Sequence, residues 1–343
     1  MMRAVRRFLL VAVVAGLLAA GAAIYSLEAP YRNFQGDLFL KIEHGSGTRG
    51  IAQTLADAGV IRYSWQLLLA RAINPGAKLQ AGEYRFTDSA SALDVFNRLR
   101  RGDIYFFDFT VPEGSNMFDI ARLLEGEQIV SAEAFLRAAA DPARIHDLSP
   151  GATNLEGYLF PSTYRLSHST TATDLTQMMT SEFRKQWKKL VADSSEDVHQ
   201  TVTLASLVEK ETGVPDERPL VAGVFANRLR TGMRLGCDPT VVYAALIEHR
   251  YSGVIHRSDL DRQSSYNTYQ NAGLPPGPIA NPGAAALAAA TKPAQTDFLY
   301  FVAKPSGGGH VFSSTLAAHE KAVQSYRHGS QTKTSAKPSR KAG

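Results

Sequence analysis

Hydrophobic and polar positions change along the chain in blocks that predict short helices and strands, and the first block differs in kind from the rest. Phe8 to Ile24 runs for about 17 residues without a charge, near the lower limit for crossing a bilayer. Arg3, Arg6 and Arg7 precede it, which favours a cytoplasmic N-terminus for residues 1–7. Ala19-Ala-Gly-Ala-Ala23 offers small residues for signal-peptide cleavage. The apolar stretch continues past them through Ile24 and Tyr25, which favours a retained anchor over residues 8–28. Residues from about 29 onward then work outside the cytoplasm, a setting that disfavours nucleotide-dependent chemistry. No Gly-rich phosphate loop is present in the sequence.

An internal repeat follows. Ile42, Gly45, Ile51, Ala52, Leu55, Ile61 and Leu67 recur as Val111, Gly114, Ile120, Ala121, Leu124, Val130 and Leu136, each pair 69 residues apart. The pattern predicts a strand, a Gly turn, a helix with an apolar face, and a second helix. Gly82 to Phe86 and Ile104 to Val111 read as strands; Ala92 to Leu99 reads as a helix stopped by Gly102. These are small α/β modules over residues 37–103 and 104–172. Their strand–helix–helix order resembles LysM-type glycan-binding modules, and simple spacing of the rest of the chain is an equal reading. Asn154 to Tyr164 closes the region as a rigid Gly-Tyr-x-Phe-Pro corner. There Tyr158, beside Glu156 and Asn154, can contact a sugar, although strand aromatics commonly face a core.

The remainder, residues 173–328, reads as helices ending in a hairpin. Thr173 to Ser195 is amphipathic, with Leu175, Met178, Met179, Phe183, Trp187 and Leu190 on one stripe. Asp216, Asp238-Pro-Thr240 and Asn281-Pro-Gly283 each open a helix, the first two with Asp as the cap. Phe298 to Ala303 and His310 to Ser313 flank Gly307-Gly-Gly309 as a β-hairpin. A last helix runs through Tyr326. The basic tail over residues 329–343 lacks apolar anchors from Gln331 onward and is expected to be disordered. The predicted class is α+β: a transmembrane helix, LysM-like α/β modules, and a mostly helical domain with a β-hairpin.

One helix breaks the pattern. In Thr203 to Gly213, Leu204, Leu207, Val208 and Glu211 share a face, and the fourth member is a carboxylate. Glu209 and Lys210 point elsewhere and can stay in water. An acid ending an apolar stripe is costly unless it is paired or protonated. Burial raises a carboxyl pKa, and a carboxyl held neutral near pH 7 can donate a proton. Gly213 and Pro215 stop the helix, so Glu211 sits in its last turn, where a cleft wall can form. The plainer alternative is a helix-end Glu tied to an Arg.

Composition narrows the choices. At 343 residues the chain holds two or three modest domains. Its net charge of +5 belongs to the ends: without Arg3, Arg6, Arg7, Lys333, Lys337, Arg340 and Lys341, 30 basic face 32 acidic residues. A basic nucleic-acid surface is therefore not indicated. Cys237 is the only cysteine, which excludes a disulfide framework and a thiolate zinc cluster. No close His spacing supports a metal site, no cofactor motif is present, and no Gly-x-Ser-x-Gly elbow appears. From Glu211 to Asn281 the polar residues Asp216, Glu217, Asn227, Asp238, Thr240, Tyr266, Asn267, Thr268 and Tyr269 accumulate, hydroxyls, amides and carboxylates beside Tyr rings, the parts of a carbohydrate cleft.

Leu204-Ala-Ser-Leu-Val-Glu-Lys-Glu-Thr212, Asn227-Arg-Leu-Arg230, Gly232-Met-Arg-Leu235, Asp238-Pro-Thr-Val241, Tyr266-Asn-Thr-Tyr269, Gly273-Leu-Pro-Pro-Gly277 and Asn281-Pro-Gly283 together resemble the YceG-like endolytic murein transglycosylases. Glu156-Gly-Tyr-Leu-Phe-Pro161 and Tyr300-Phe-Val302 are similar to further motifs of that family. The likeness covers almost the whole chain. Cys237 departs from it, standing where members often have a polar residue, and the basic tail is a second departure.

The resemblance implies that Glu211 is the catalytic acid, in agreement with the helical-face argument. It implies cleavage of the β-1,4 bond between N-acetylmuramic acid and N-acetylglucosamine inside nascent peptidoglycan strands, leaving 1,6-anhydro ends. Tyr266 and Asn267 are similar to a Tyr-Asn pair near the acid of lytic transglycosylases and are expected to contact substrate. Asp238, Thr240, Glu217, Asn227, Glu156 and Tyr158 complete the expected contacts. Each has a plainer reading: Asp238 as helix cap, Glu217 orienting Glu211 or paired with Arg218, Asn227 bonded to a loop. The resemblance also implies residence in a bacterial cytoplasmic membrane and partnership with peptidoglycan synthases. A hydrolytic muramidase, with Asp238 or Glu217 as second carboxylate, and a non-catalytic recruiter of synthases remain as alternatives.

Overall fold

The structure is a computed structural model that describes residues 2–191 and 197–335. Its elements run α1 Met2–Glu28, β1 Leu38–Ile42, α2 Thr48–Asp57, α3 Ser64–Ile73, β2 Gly82–Phe86, α4 Ala92–Arg101, β3 Phe107–Thr110, α5 Met117–Gly126, α6 Ala132–Ala139 and β4 Thr163–Leu166. Then come α7 Ala172–Leu190, α8 Val198–Glu211, α9 Arg218–Arg230, α10 Asp238–Ile247, α11 Arg257–Leu260, α12 Ala284–Thr291, β5 Tyr300–Ala303, β6 His310–Ser313 and α13 Leu316–Ser335. It is a mixed helix–strand protein whose strands pair as β1–β2, β3–β4 and β5–β6.

The chain forms two compact units, Met1–Asp108 with Arg165–Ser169, and Phe109–Tyr164 with Thr170–Gly343. In the first, β1 pairs antiparallel with β2, from Leu38 opposite Phe86 to Ile42 opposite Gly82. Helices α2, α3 and α4 close over a core of Ile51, Leu55, Ile61, Leu67, Tyr84, Phe86, Phe96 and Leu99. A capping box between Ser91 and Asp94 starts α4, and Gly102 in the left-handed region ends it. His168 donates its backbone N–H to Glu83 at 3.0 Å, which ties residues 165–169 to β2.

The repeat is present in both units. Gly45 and Gly114 turn the chain at φ +81° and +74°, backbone that favours glycine. Ile51, Ala52 and Leu55 are buried, as are Ile120, Ala121 and Leu124. In the second copy Phe135, not Leu136, is fully buried, because α6 is turned to present that position. The second copy folds into the same unit as the helical region. Asn281 joins the two: it is wholly buried and bonded three ways. Its side chain accepts from Leu159 N–H and donates to the Ser115 carbonyl and Glu156 Oε1, each at 2.9 Å.

Several boundaries differ from expectation. Helix α13 passes Tyr326 and runs to Ser335, extending from a first half packed on β5 and β6; the rest of the expected disordered tail lies outside the described residues. Helix α7 stops at Leu190, and residues 192–195 of the expected stretch also lie outside them. Cys237, not Asp238, takes the cap position of α10, and no side chain caps that end.

Candidate active site

Helix α8 carries the site. Val202 to Val208 are all buried, so the helix is enclosed around most of its circumference. Ser206 fixes it against the loop before α12 by accepting from Ile279 N–H at 3.1 Å. Its last turn then distributes three charged side chains to three different places.

Glu209 was expected in water, and the structure corrects this. Its side chain is 5% exposed, pairs with Arg218 at 3.0 Å and accepts from Gly283 N–H at 3.0 Å. It therefore satisfies the N-terminus of α12 and neutralises a buried guanidinium at once. Glu113 approaches the same Arg218 at 3.7 Å. Lys210 donates to the Gly114 carbonyl at 3.1 Å.

Glu211 faces the other way, into a cavity of about 280 Å³ shared with Phe225, Arg228, Asp238, Tyr269, Phe301 and His319. Burial pushes its carboxyl pKa up; a hydrogen bond with Cys237 opposes this, Asp238 adds to the rise, and His310 and Arg228 oppose it, with a net increase. Its thiol partner Cys237 is buried and held well above the ordinary thiol range, first by desolvation and then by Glu211 itself. His319 stacks on Tyr300 with centroids 5.1 Å apart, and burial lowers its pKa, so a neutral ring lines the cavity.

Asp238 is exposed and accepts from the Tyr269 hydroxyl at 2.5 Å. This pair also borders an open groove of about 580 Å³ lined by His256, Arg257, Leu260 and Gln270. Asp238 borders a further cavity of about 410 Å³ with Lys210, Tyr243 and Tyr251. The open groove thus does not contain Glu211. The smaller pocket holds the carboxyl whose pKa burial raises, and it adjoins the groove through Asp238 and Tyr269.

The other expected contacts scatter. Thr240 is wholly buried behind Asp238, donating to the Cys237 carbonyl at 2.6 Å. Asn267 is buried and organises its own loop, donating to the Arg262 carbonyl at 2.8 Å and accepting from Tyr269 N–H at 2.9 Å. Tyr266 is partly exposed and packs on Tyr243, centroids 5.1 Å apart. Asn227 bonds the carbonyls of Thr296 and Phe298, at 2.7 and 3.0 Å, the loop reading of that residue. Glu217 pairs with His310 at 2.7 Å and not with Arg218, which Glu209 occupies. Gly309 lies so close to the Glu217 carboxylate that a side chain there would collide with it.

Glu156 and Tyr158 were expected to touch a sugar, yet both lie in the core, 1% and 0% exposed. Gly157 lets that corner turn at φ +88° against Pro278, and the turn carries both side chains inward. Glu156 accepts from Met117 N–H at 2.9 Å, and burial raises its pKa to about 8. Tyr158 shares its hydroxyl with Ser149 at 2.7 Å and His199 at 3.0 Å. Tyr269, one of the polar residues accumulated after Glu211, does line the pocket, whereas Arg228 and His319 are lining residues that sequence reasoning missed. Arg228 lay inside a quoted motif, where its neighbour Asn227 was chosen instead; His319 carried no signal.

The pocket with its buried carboxyl lies on a mostly helical unit and shares Asp238 and Tyr269 with a polar groove. The family follows from comparison: residues 40–325 match the YceG-like family, and the chain belongs to it. A Bacillus subtilis (strain 168) protein named endolytic murein transglycosylase is 33% identical over 332 residues, covering 90% of this chain and 91% of that one. A Streptococcus pneumoniae (strain D39) protein of the same name is 30% identical over 313 residues, covering 82% of this chain and 57% of the longer relative. The crystal structure of a YceG-like protein from Listeria monocytogenes matches 84% of this chain and 99% of its own, at 29% identity and a TM-score of 0.55.

Proposed function

We propose that this chain is a membrane-anchored endolytic murein transglycosylase that cuts nascent glycan strands at the MurNAc-β-1,4-GlcNAc bond. The observation that carries the reading is Glu211: a carboxyl whose pKa burial raises, in a pocket that shares Asp238 and Tyr269 with a groove. Its proton passes to the glycosidic oxygen as the bond to the anomeric carbon breaks. The 6-hydroxyl of the same muramyl residue attacks that carbon, and its proton passes to the Glu211 carboxylate. A 1,6-anhydro end forms, no water enters, and the acid is regenerated. Asp238 and Tyr269 contact the strand where pocket and groove meet, and Tyr266 contributes from the neighbouring loop.

Helix α1 serves as the single-pass anchor in the bacterial cytoplasmic membrane, with the N-terminus cytoplasmic and the two units outside. Val5–Glu28 is long and apolar enough to cross. Anchoring restricts cutting to new strands near the bilayer, helps set glycan length and brings the enzyme to peptidoglycan synthases. A second reading, hydrolysis with Asp238 as second carboxylate, draws on its place in the same pocket. Mass spectrometry of muropeptides released by the full-length protein in detergent tests both. Anhydro ends that vanish in Glu211→Gln support the proposal; reducing ends, one water heavier, move the assignment to a muramidase.

A further inference from the structure

The end of α1 is built into the first unit. Leu27 is 5% exposed and belongs to the same core cluster as Ile61 and Leu67. Gln66, itself 3% exposed, donates from its amide to the Ser26 carbonyl at 2.6 Å and to the Ser26 hydroxyl at 2.9 Å. The other end of that amide accepts from Tyr63 N–H at 3.0 Å. Tyr31 is fixed in turn by a β-bridge to Ala90. No flexible tether separates the apolar part of the helix from the folded unit.

This has a geometric consequence. The exposed apolar surface of α1 ends near Ile24 and Tyr25, and the first residue in the core is Leu27. At about 1.5 Å per residue, that step is only about 3 Å along the axis. The headgroup layer on each side of a bilayer is about 5–8 Å thick. The surface of the unit around the helix exit must therefore lie within that layer.

Its composition fits the location. Tyr25, Tyr63 and Trp65 are 75%, 52% and 42% exposed, and the last two rings stack at 6.3 Å. The Arg62 guanidinium lies over the Tyr31 ring at 5.1 Å. A polar cavity of about 400 Å³ opens among Tyr25, Ser26, Tyr31, Arg62 and Tyr63. Amphipathic rings favour the membrane–water boundary, and Arg suits phosphate. We infer that this face is a collar seated in the phospholipid headgroup layer, with Arg62 on lipid phosphate and Tyr25, Tyr63 and Trp65 among the glycerol and carbonyl groups. The inference rests on reading α1 as a membrane anchor.

The test uses the full-length protein in vesicles of phosphatidylethanolamine and phosphatidylglycerol carrying a quenching spin label on the headgroup or at the acyl-chain end. Trp187 is the only other tryptophan, so Trp65→Phe isolates the signal of interest. Headgroup-label quenching that is lost in Trp65→Phe, stronger than chain-end quenching and reduced in Arg62→Glu, is the expected result. Alkaline extraction on the same vesicles separates the possible failures. Protein that resists extraction but shows no Trp65 quenching overturns the collar and leaves the anchor. Quenching unchanged in Arg62→Glu overturns the phosphate contact. Protein that is extracted overturns the anchor, and the collar with it.

Discussion

Two carboxylates two residues apart on α8 meet opposite surroundings. Glu209 has a guanidinium and a helix N-terminus as partners, whereas Glu211 is buried in a pocket beside the Cys237 thiol. Glu211→Gln is expected to lower activity by about 10²–10⁴-fold or more with little change in melting temperature. Glu209→Gln removes half of a buried ion pair and is expected to destabilise by about 3–5 kcal/mol. Parallel assays of muropeptide release and thermal unfolding check both; equal melting losses in the two variants would sink the division of roles. In the proposed reaction Glu211 must carry its proton at the start, and burial raises its pKa. Activity in the free enzyme should therefore persist above the ordinary carboxyl range and fall as pH rises through the shifted value, a limb that a rate–pH profile reads directly. Glu156 predicts a separate stability effect. Its folded-state pKa of about 8 exceeds the unfolded value, so the native state binds more protons between the two. Its stabilising contribution is present at low pH and is lost on rising toward pH 8, at most about 1.4 kcal/mol per pH unit. Unfolding of Glu156→Gln across that range should have a flatter pH dependence than the parent; parallel curves would refute the linkage.

At the scale of elements, α9 holds the β5–β6 hairpin beside the pocket. Asn227 takes the Thr296 and Phe298 carbonyls, Arg228 takes those of Leu299 and Leu235 at 2.6 Å each, and Glu217 holds His310 by side chain and backbone. Arg228→Ala should loosen both the hairpin and the Leu235–Asp238 turn. Faster amide exchange across residues 299–313 and weaker muropeptide release are expected, and unchanged exchange would show that the hairpin stands without it. The same contacts explain what could be read in advance. The face of α8, the hairpin and the start of α4 were legible because periodicity, turn residues and caps are local signals. Glu209 was misplaced because its partners are Arg218, beyond the next turn, and Gly283, 74 residues away. Asn227 and Glu217 looked like cleft residues because their polarity was visible and their loop partners were not. Nothing within the second repeat announces that Asn281, far along the chain, bonds to Leu159, Ser115 and Glu156.

At the scale of the whole molecule, the first unit cannot be cut cleanly from α1. Removing residues 1–28 looks like a natural route to a soluble protein, since the apolar run ends at Ile24 and the folded modules were expected to begin at 37. Yet that deletion also removes Leu27 from the core and Ser26 from the Gln66 amide. Burying one leucine contributes about 1.5–3 kcal/mol, and the loss of the amide's partners adds about 1–3 kcal/mol because Gln66 stays buried. Chains covering residues 25–343 and 29–343 should therefore differ in the urea midpoint of the first unit, the shorter being the less stable. The second unit is the internal control, because its pocket residues do not draw on α1, and Trp187, on α7 in that unit, reports it separately. A midpoint shift confined to the first unit would make the end of the anchor part of the folded protein. Identical midpoints would make α1 a simple tether, and would also remove the rigid junction on which the headgroup collar depends.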